Sequence, residues 1–527
     1  MKFERKSGVL LHPTSLPGTP GIGTLGEYAY KFVDWLIDAD QTLWQILPLG
    51  PTGYGDSPYA SFSTFAGNPL IIDLDLLVKK GWAEKKDVRP PEYIKSEGNV
   101  DFGSVVWWKM PVLKKCAEFF LTNASDEDKA LYKEFCKGKA SWLDNFVTFM
   151  SIKNFYDAKA AEEKPESSMW YAYWPKELAR CEKEAVNQWR KTHQKELEEL
   201  KVIQFFFDVQ WNELKAYANE NGVKLIGDIP IFVAPDSADV WANQNFFQLD
   251  ENGRPSAVAG VPPDYFCADG QLWGNPLYDW AAMKASGYSW WVARIKRVLE
   301  LTDVLRIDHF RGFEAYWSVP AGSATAVNGK WIKGPGMDLF RAIKRKLGDI
   351  PVIAEDLGVI TEEVRALRDE SGFPGMKVLQ FAFSADEARE HGMTNYFLPH
   401  MFDTNECVIY TGTHDNDTLQ GWLENCSSEQ LVLVAQYIEG QTITLEKARS
   451  LVKSGMLRRD MIRAAIASSA LYCVIPMQDI TGVGNEGRMN KPATTGQNWN
   501  WRMSKKDLKK AYADNLSFLS GIYGRNC

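Results

Sequence analysis

Short apolar runs ending in polar residues recur along the chain, separated by segments of helical periodicity. Eight runs read as core strands: 8–11, 42–47, 224–228, 304–308, 352–355, 377–381, 408–411 and 473–477. Strands alternating with helices predict a parallel α/β fold, and eight such strands close a (β/α)8 TIM barrel. Phe207, Trp211, Leu214 and Ala218 follow the rhythm of one apolar helix face. Asn221-Gly222 then supplies residues that tolerate the left-handed conformation of a helix C-terminus. Leu339, Ile343 and Leu347 share another face that Gly348 ends. Thr361 is placed to cap a helix opening on Glu362-Glu363, whose acids suit the positive end of the dipole. Leu508, Ala511, Tyr512 and Leu516 predict a last helix from Ser504, with Ser504 and Asp507 as a capping box.

The interval between the second and third strands is too long for a simple crossover. Leu143, Phe146, Val147 and Met150 mark an amphipathic helix inside it, and 186–200 also reads as helical. The expected organisation is one barrel domain over 1–527, a mostly helical inserted subdomain over 81–202 and a loop insertion over 229–285. The Lys/Glu-rich stretch 191–201 reads as a solvated helix face.

Hydrophobic residues make up 45% and charged residues 24% of the chain, the balance of an ordinary globular protein. The net charge of −8, spread along the chain, argues against a nucleic-acid partner. The eight cysteines form no C-x-x-C pair, which argues against a metal centre and a disulfide framework. The first residues lack the apolar stretch of a secretory signal, and no apolar run is long enough to cross a bilayer. The expectation is a cytoplasmic protein without a membrane partner, metal or cofactor.

The chemistry-bearing residues cluster where predicted strands end. Asp308 closes Leu305-Arg306-Ile307-Asp308, Glu355 closes Val352-Ile353-Ala354-Glu355, and Asp415 follows Gly412-Thr413-His414. Retaining chemistry at a sugar carbon needs a nucleophilic carboxylate and a separate acid/base carboxyl group; a third acid can hold the distorted ring. Arg306 lies two positions before Asp308, so on a strand both side chains point to one side, where the guanidinium keeps the carboxylate ionised; the alternative is a strand-end ion pair without chemistry. Asp356 should point away from Glu355. Asp417 or Thr418 can cap the helix after Asp415. Two Gly/Pro-rich loops, 50–59 with Ser57 and Tyr59 and 259–276 with Tyr265, Phe266, Gln271 and Trp273, place aromatic and polar side chains where a sugar would meet them.

These segments resemble the amylomaltases, the 4-α-glucanotransferases of glycoside hydrolase family 77, nearly from end to end. The resemblance is carried by Leu10-Leu11-His12-Pro13-Thr14-Ser15-Leu16, Trp44-Gln45-Ile46-Leu47-Pro48-Leu49, Ser57-Pro58-Tyr59, Gly227-Asp228-Ile229-Pro230-Ile231, Arg306-Ile307-Asp308-His309, Ala354-Glu355-Asp356-Leu357-Gly358, Leu379-Gln380-Phe381, Thr413-His414-Asp415-Asn416 and Asn498-Trp499. It implies that Asp308 is the nucleophile, Glu355 the acid/base and Asp415 the transition-state stabiliser. It implies further that Asp228, Arg306, His309 and His414 surround the donor sugar, and that Ser57, Tyr59, Gln271, Trp273 and Asn498 contact substrate. Tyr265 and Phe266 match a loop that covers the cleft. The implied reaction transfers a segment of an α-1,4-glucan to glucose or a maltooligosaccharide through a covalent glucosyl-Asp intermediate. Rival readings are an amylase-like hydrolase and a catalytically silent glucan-binding protein. Many α-amylases carry a His shortly after the acid ending the third strand; here Asp228 is followed by Ile229-Pro230-Ile231-Phe232-Val233-Ala234, which disfavours an amylase.

Overall fold

The computed structural model describes residues 4–263 and 268–526. Eight parallel strands form the central sheet: β1 (Lys6–Leu10), β2 (Leu43–Gln45), β3 (Lys224–Pro230), β4 (Val304–Asp308), β5 (Val352–Ala354), β6 (Gly375–Val378), β7 (Cys407–Tyr410) and β8 (Tyr472–Pro476). They follow the order β6-β7-β8-β1-β2-β3-β4-β5. The Ala354 N–H donates to the Pro374 carbonyl at 2.9 Å, bringing β5 against the start of β6 and nearly closing the ring as a (β/α)8 TIM barrel.

All eight expected strands are present, displaced by a few residues. The largest shift is in the sixth: pairing ends at Val378 and Leu379–Ala382 turns into a 3-10 helix. Gln380 is drawn inward there, its backbone N–H donating to the Thr411 carbonyl at 3.4 Å and its side-chain amide to the Asp417 carbonyl at 2.9 Å.

Strand alternation divides the core in two. Leu10, Leu43, Ile226, Val304, Ile353, Met376, Val408 and Val474 fill the barrel interior, while Val9, Trp44, Leu225, Leu305, Ile307 and Ile409 pack outward against helices. On β4 this rhythm sends Arg306 inward with Val304, as the sequence predicts. Gly8 permits the close approach of β1 to β2, since a Cβ there would lie 2.1 Å from the Leu43 carbonyl oxygen. The seam between β1 and β8 is tied by Arg525, fully buried, which donates to the carbonyls of Lys6 and Leu471 at 2.9 and 3.1 Å and to those of Ile466, Ser468 and Ala470.

The long interval after β2 is helical, with Phe102–Asn123, Asp126–Glu163 and Gln194–Glu220 its main elements. The last of these buries Phe207, Trp211, Leu214 and Ala218 completely, each large side chain contributing about 1.5–3 kcal/mol. It ends at Asn221 with Gly222 at φ +81°. The 191–201 stretch is a solvated face only in part: Lys191, Thr192, Gln194 and Lys195 are exposed, while Leu197, Glu199 and Leu200 turn inward. Glu199 is buried, and Lys195 and Lys201 pair with Glu118 and Asp144 of neighbouring helices at 2.5 and 2.9 Å. Two local expectations also change. The Ser504/Asp507 capping box forms, but on a 3-10 turn, and the terminal helix starts later, over Lys510–Ile522. Thr361 occupies the N-cap of Glu362–Ser371, yet its hydroxyl accepts no helix N–H.

A four-stranded antiparallel sheet, absent from the sequence reading, stands beside the barrel mouth. It pairs Gln271–Pro276, Ala257–Val261, Ala315–Pro320 and Lys330–Lys333 in that order.

Candidate active site

The C-terminal ends of β3, β4 and β5 lie side by side. Asp228 is the register partner of Arg306, and Ile307 that of Ala354, so Asp308 and Glu355 end neighbouring strands. Arg306, 3% exposed, joins the acids. One terminal nitrogen donates to both Asp228 oxygens at 2.9 and 2.7 Å, and the other to Asp308 at 2.8 Å. Burial alone would lower the Arg306 pKa, but the facing carboxylates outweigh it and hold the guanidinium charged. Burial pushes the Asp228 carboxyl up to about 6, against Arg306 and with Asp308.

Glu355 accepts the backbone N–H of His309 at 2.7 Å and that of Leu357 at 2.8 Å. His309 reaches that position with φ +53°, a left-handed conformation rare for a residue with a side chain and found where a site over-determines it. Burial, aided by the Asp308 charge, pushes the Glu355 carboxyl up to about 8, against the pull of Arg306 and the two N–H donors. Burial also brings the His309 imidazole down to about 4, so it is neutral near pH 7. Asp356 does turn away: it accepts from Arg368 and from the Met376 N–H, both at 2.7 Å.

Asp415 enters from the loop after β7. Its carboxylate lies 3.4 Å from His414 Nε2 and accepts the Asn490 amide at 2.6 Å. Burial would raise its pKa, but His414 and Asn490 prevail and take it down to about 2. Burial opposes a charge on His414, yet Asp415 overrides it and the imidazole pKa rises. Tyr59 stacks on His414 with ring centroids 4.8 Å apart and donates its hydroxyl to Asp228 at 2.8 Å. The Tyr59 phenol pKa lies well above its ordinary value through burial and the nearby carboxylates. Thr418, not Asp417, caps the following helix through the Gly421 N–H at 3.1 Å; Asp417 pairs with Arg488.

A cleft of about 1080 Å³ opens beside these groups; Glu355, Asp228 and Arg306 are not among its lining residues. Asp308, His309, His414 and Asp415 line it, with Ser57, Tyr59, Gln271 and Trp273. Trp273 meets His309 edge to face at 4.8 Å and donates its indole N–H to Gln271 at 3.2 Å. Asn498 is not among the lining residues, although Pro492, Ala493 and Trp499 of its loop are; its side chain ties that loop together, accepting the Lys491 N–H at 3.1 Å and donating to the Thr494 carbonyl at 3.0 Å. Tyr265 and Phe266 lie outside the described residues.

The sequence reading omitted Asn490 and Arg488. Arg488 donates to the backbone carbonyls of Asp415 and Asn490, both at 2.7 Å, and so fixes the loop that carries Asp415. No motif marks either residue. Trp499, quoted only within a matching segment, also lines the cleft, 5.7 Å from Tyr59. Among the described residues no group of three or more His, Cys, Asp or Glu could hold a metal ion. No described helix is long and apolar enough to cross a membrane.

The arrangement offers one carboxylate paired to a buried cation, a second carboxyl biased toward its protonated form, and a third held ionised. Comparison with known proteins shows which family the chain resembles. A family model described as 4-alpha-glucanotransferase matches residues 11–508. A 4-alpha-glucanotransferase from Synechocystis is 44% identical over 100% of this chain and 99% of its own. One from Thermus thermophilus is 44% identical over 98% of each chain. Among solved structures, an amylomaltase from Streptococcus agalactiae in complex with acarbose superposes with a TM-score of 0.90 at 39% identity, covering 99% of this chain and all of that one.

Proposed function

The chain belongs to the 4-alpha-glucanotransferase family, and from that premise we propose that it transfers α-1,4-glucan segments by a retaining double displacement at Asp308, Glu355 and Asp415. Glu355 protonates the glycosidic oxygen while Asp308 attacks the anomeric carbon. The C–O bond to the leaving sugar breaks, and a glucosyl ester forms on Asp308. Glu355, now ionised, takes the proton from the 4-hydroxyl of glucose or a maltooligosaccharide; that oxygen attacks the anomeric carbon, and Asp308 departs as a carboxylate. Two inversions give net retention. Asp415, ionised through its contacts with His414 and Asn490, faces the positive charge that develops on the ring in each transition state.

The observation that carries this reading is the unlike surroundings of two carboxyl groups on adjoining strand ends. Asp308 is bound to Arg306 at 2.8 Å. Glu355 is biased toward its acid form by burial. Asp228, Arg306, His309, His414 and Tyr59 would seat the donor sugar, and Ser57, Gln271 and Trp273 the neighbouring rings. Asn498 would act through the fold of its loop. Tyr265 and Phe266 would shield the intermediate from water, which otherwise competes with the sugar acceptor.

Maltotriose as sole substrate tests the proposal. A ladder of shorter and longer oligosaccharides should appear with little net growth in reducing ends; steady growth without longer products would make the enzyme a hydrolase. Asp308→Asn should abolish turnover while leaving maltooligosaccharide binding measurable by calorimetry. A variant that still turns over would remove Asp308 from the nucleophile's role.

A further inference from the structure

The barrel's last seam runs beside Glu355. β5 and β6 stand at the two ends of the strand order, and no ladder joins them among the described residues. The Ala354 N–H crosses to the Pro374 carbonyl at 2.9 Å, and the next contact along the seam is made by a side chain. One oxygen of Asp356, a buried residue, accepts the Met376 N–H at 2.7 Å, and the other accepts Arg368 of the helix Glu362–Ser371 at 2.7 Å. In a regular parallel pair a strand carbonyl would take that N–H; here a carboxylate takes it. The seam is shaped for this, since a Cβ at Gly375 would run into the Asp356 carboxylate. Glu355 is tied on its other side to β4. Its N–H donates to the Ile307 carbonyl at 3.0 Å, and its carbonyl accepts the Phe310 N–H at 3.1 Å. The chain then turns at Asp356, and the Leu357 N–H points back to the Glu355 carboxyl group at 2.8 Å. That turn is therefore gripped by β4 at Glu355 and by β6 at Asp356. Without the second grip the chain after Glu355 is free to swing, taking the Leu357 N–H with it and leaving the His309 N–H to hold the acid.

We propose that Asp356 is a positioning residue for Glu355: its carboxylate stands in for the missing ladder between β5 and β6, and so holds the turn that aims the acid at the glycosidic oxygen. This role rests on the reading of Glu355 as the acid of the transfer. Asp356 itself faces away from the sugar and acts through its neighbour alone.

Two donors separate positioning from a general loss of structure. Maltotriose needs a proton on its leaving oxygen. α-Maltosyl fluoride does not, because fluoride departs as an anion while Asp308 forms the same ester. Asp356→Ala should lower kcat/KM for maltotriose about a hundredfold, the effect of a displacement of about 1 Å at the reacting centre, and the loss should fall on kcat rather than KM. With the fluoride donor kcat/KM should stay close to that of the parent. Asp356→Asn, which keeps an acceptor for the Met376 N–H, should recover most of the loss. Gly375→Ala, whose added methyl pushes the carboxylate aside, should repeat the Asp356→Ala pattern, and it carries the test should Asp356→Ala fail to fold. Equal losses on both donors, or no loss on maltotriose, overturn the proposal; so does Asp356→Asn performing no better than Asp356→Ala. Glu355→Gln is assayed beside them and should lose maltotriose turnover while keeping fluoride release. If it turned over maltotriose like the parent, the acid role itself would fall, a result distinct from failure at the seam.

Discussion

Glu355 is the residue where structure and chemistry can be separated by pH. Its carboxyl sits near 8 in the fold, against an ordinary value of 4.5. The folded protein therefore holds this proton more tightly than the unfolded chain does. Between those two values stability must fall as pH rises, because the unfolded state ionises first. Glu355→Gln, which cannot ionise, should raise the thermal midpoint at pH 7 relative to the parent, and the gain should shrink as pH falls toward 4. Asp415 has the opposite sign. Its folded value near 2 lies below the ordinary 3.8, so its contribution is full above that range and is lost as pH falls through it. The proposed first step needs protonated Glu355, so kcat/KM should decline on the alkaline side as pH passes about 8. A flat alkaline limb would take the acid role away from Glu355. The two-residue spacing of Arg306 and Asp308 made their common direction legible in advance, since a strand alternates its faces. Asn490 and Arg488 were not legible. Their place beside Asp415 comes from a backbone contact, the Asn490 N–H on the His414 carbonyl at 3.1 Å, joining loops from different strands.

At the scale of elements, what the sequence revealed were segments whose burial is set locally. β7 and β8 are continuous apolar runs with both faces covered, as parallel strands require, and they stand out from the polar segments around them. The antiparallel sheet gave no such signal. Gln271–Pro276 holds Gly274, Asn275 and Pro276, residues poor in strands, and Leu272 and Trp273 remain substantially exposed. It is a strand because Ala257–Val261 pairs with it, and that segment is in turn held by Ala315–Pro320, far along the chain. Arg525 is the counterpart at the opposite end of the chain: one side chain whose contacts span β1, β8 and the helix between Met456 and Ala467. It is buried among carbonyl oxygens, and burial lowers its pKa to about 10. Arg525→Ala would strand those acceptors and unlock the β1–β8 seam. The expected loss is about 3 kcal/mol in urea unfolding, with the initial transfer rate at low temperature unchanged. A variant as stable as the parent would mean that water replaces the guanidinium at that seam.

The whole molecule holds together by packing. One apolar cluster runs from the helices around β1 through the insertion to the terminal helix, and a second fills the barrel. A chain of 527 residues buries a large share of its surface on folding and does not need the staples on which small domains depend. Cys116, Cys136, Cys181, Cys407, Cys426 and Cys473 are all unpaired, while Cys267 and Cys527 lie outside the described residues. Burial raises the thiol pKa of Cys116, Cys407 and Cys426 to about 12, which removes the thiolate needed for exchange or metal binding. The reaction proposed here also runs on carboxyl groups alone. Incubation with a chelator and, separately, with a thiol reductant should therefore leave both the thermal midpoint and the maltotriose product ladder unchanged. A drop in midpoint with the chelator would reveal a structural cation, and a drop with the reductant a cross-link. Loss of the ladder at an unchanged midpoint would mean that an ion takes part in the cleft, and the assignment of all charge stabilisation to Asp415 and its neighbours would have to be abandoned.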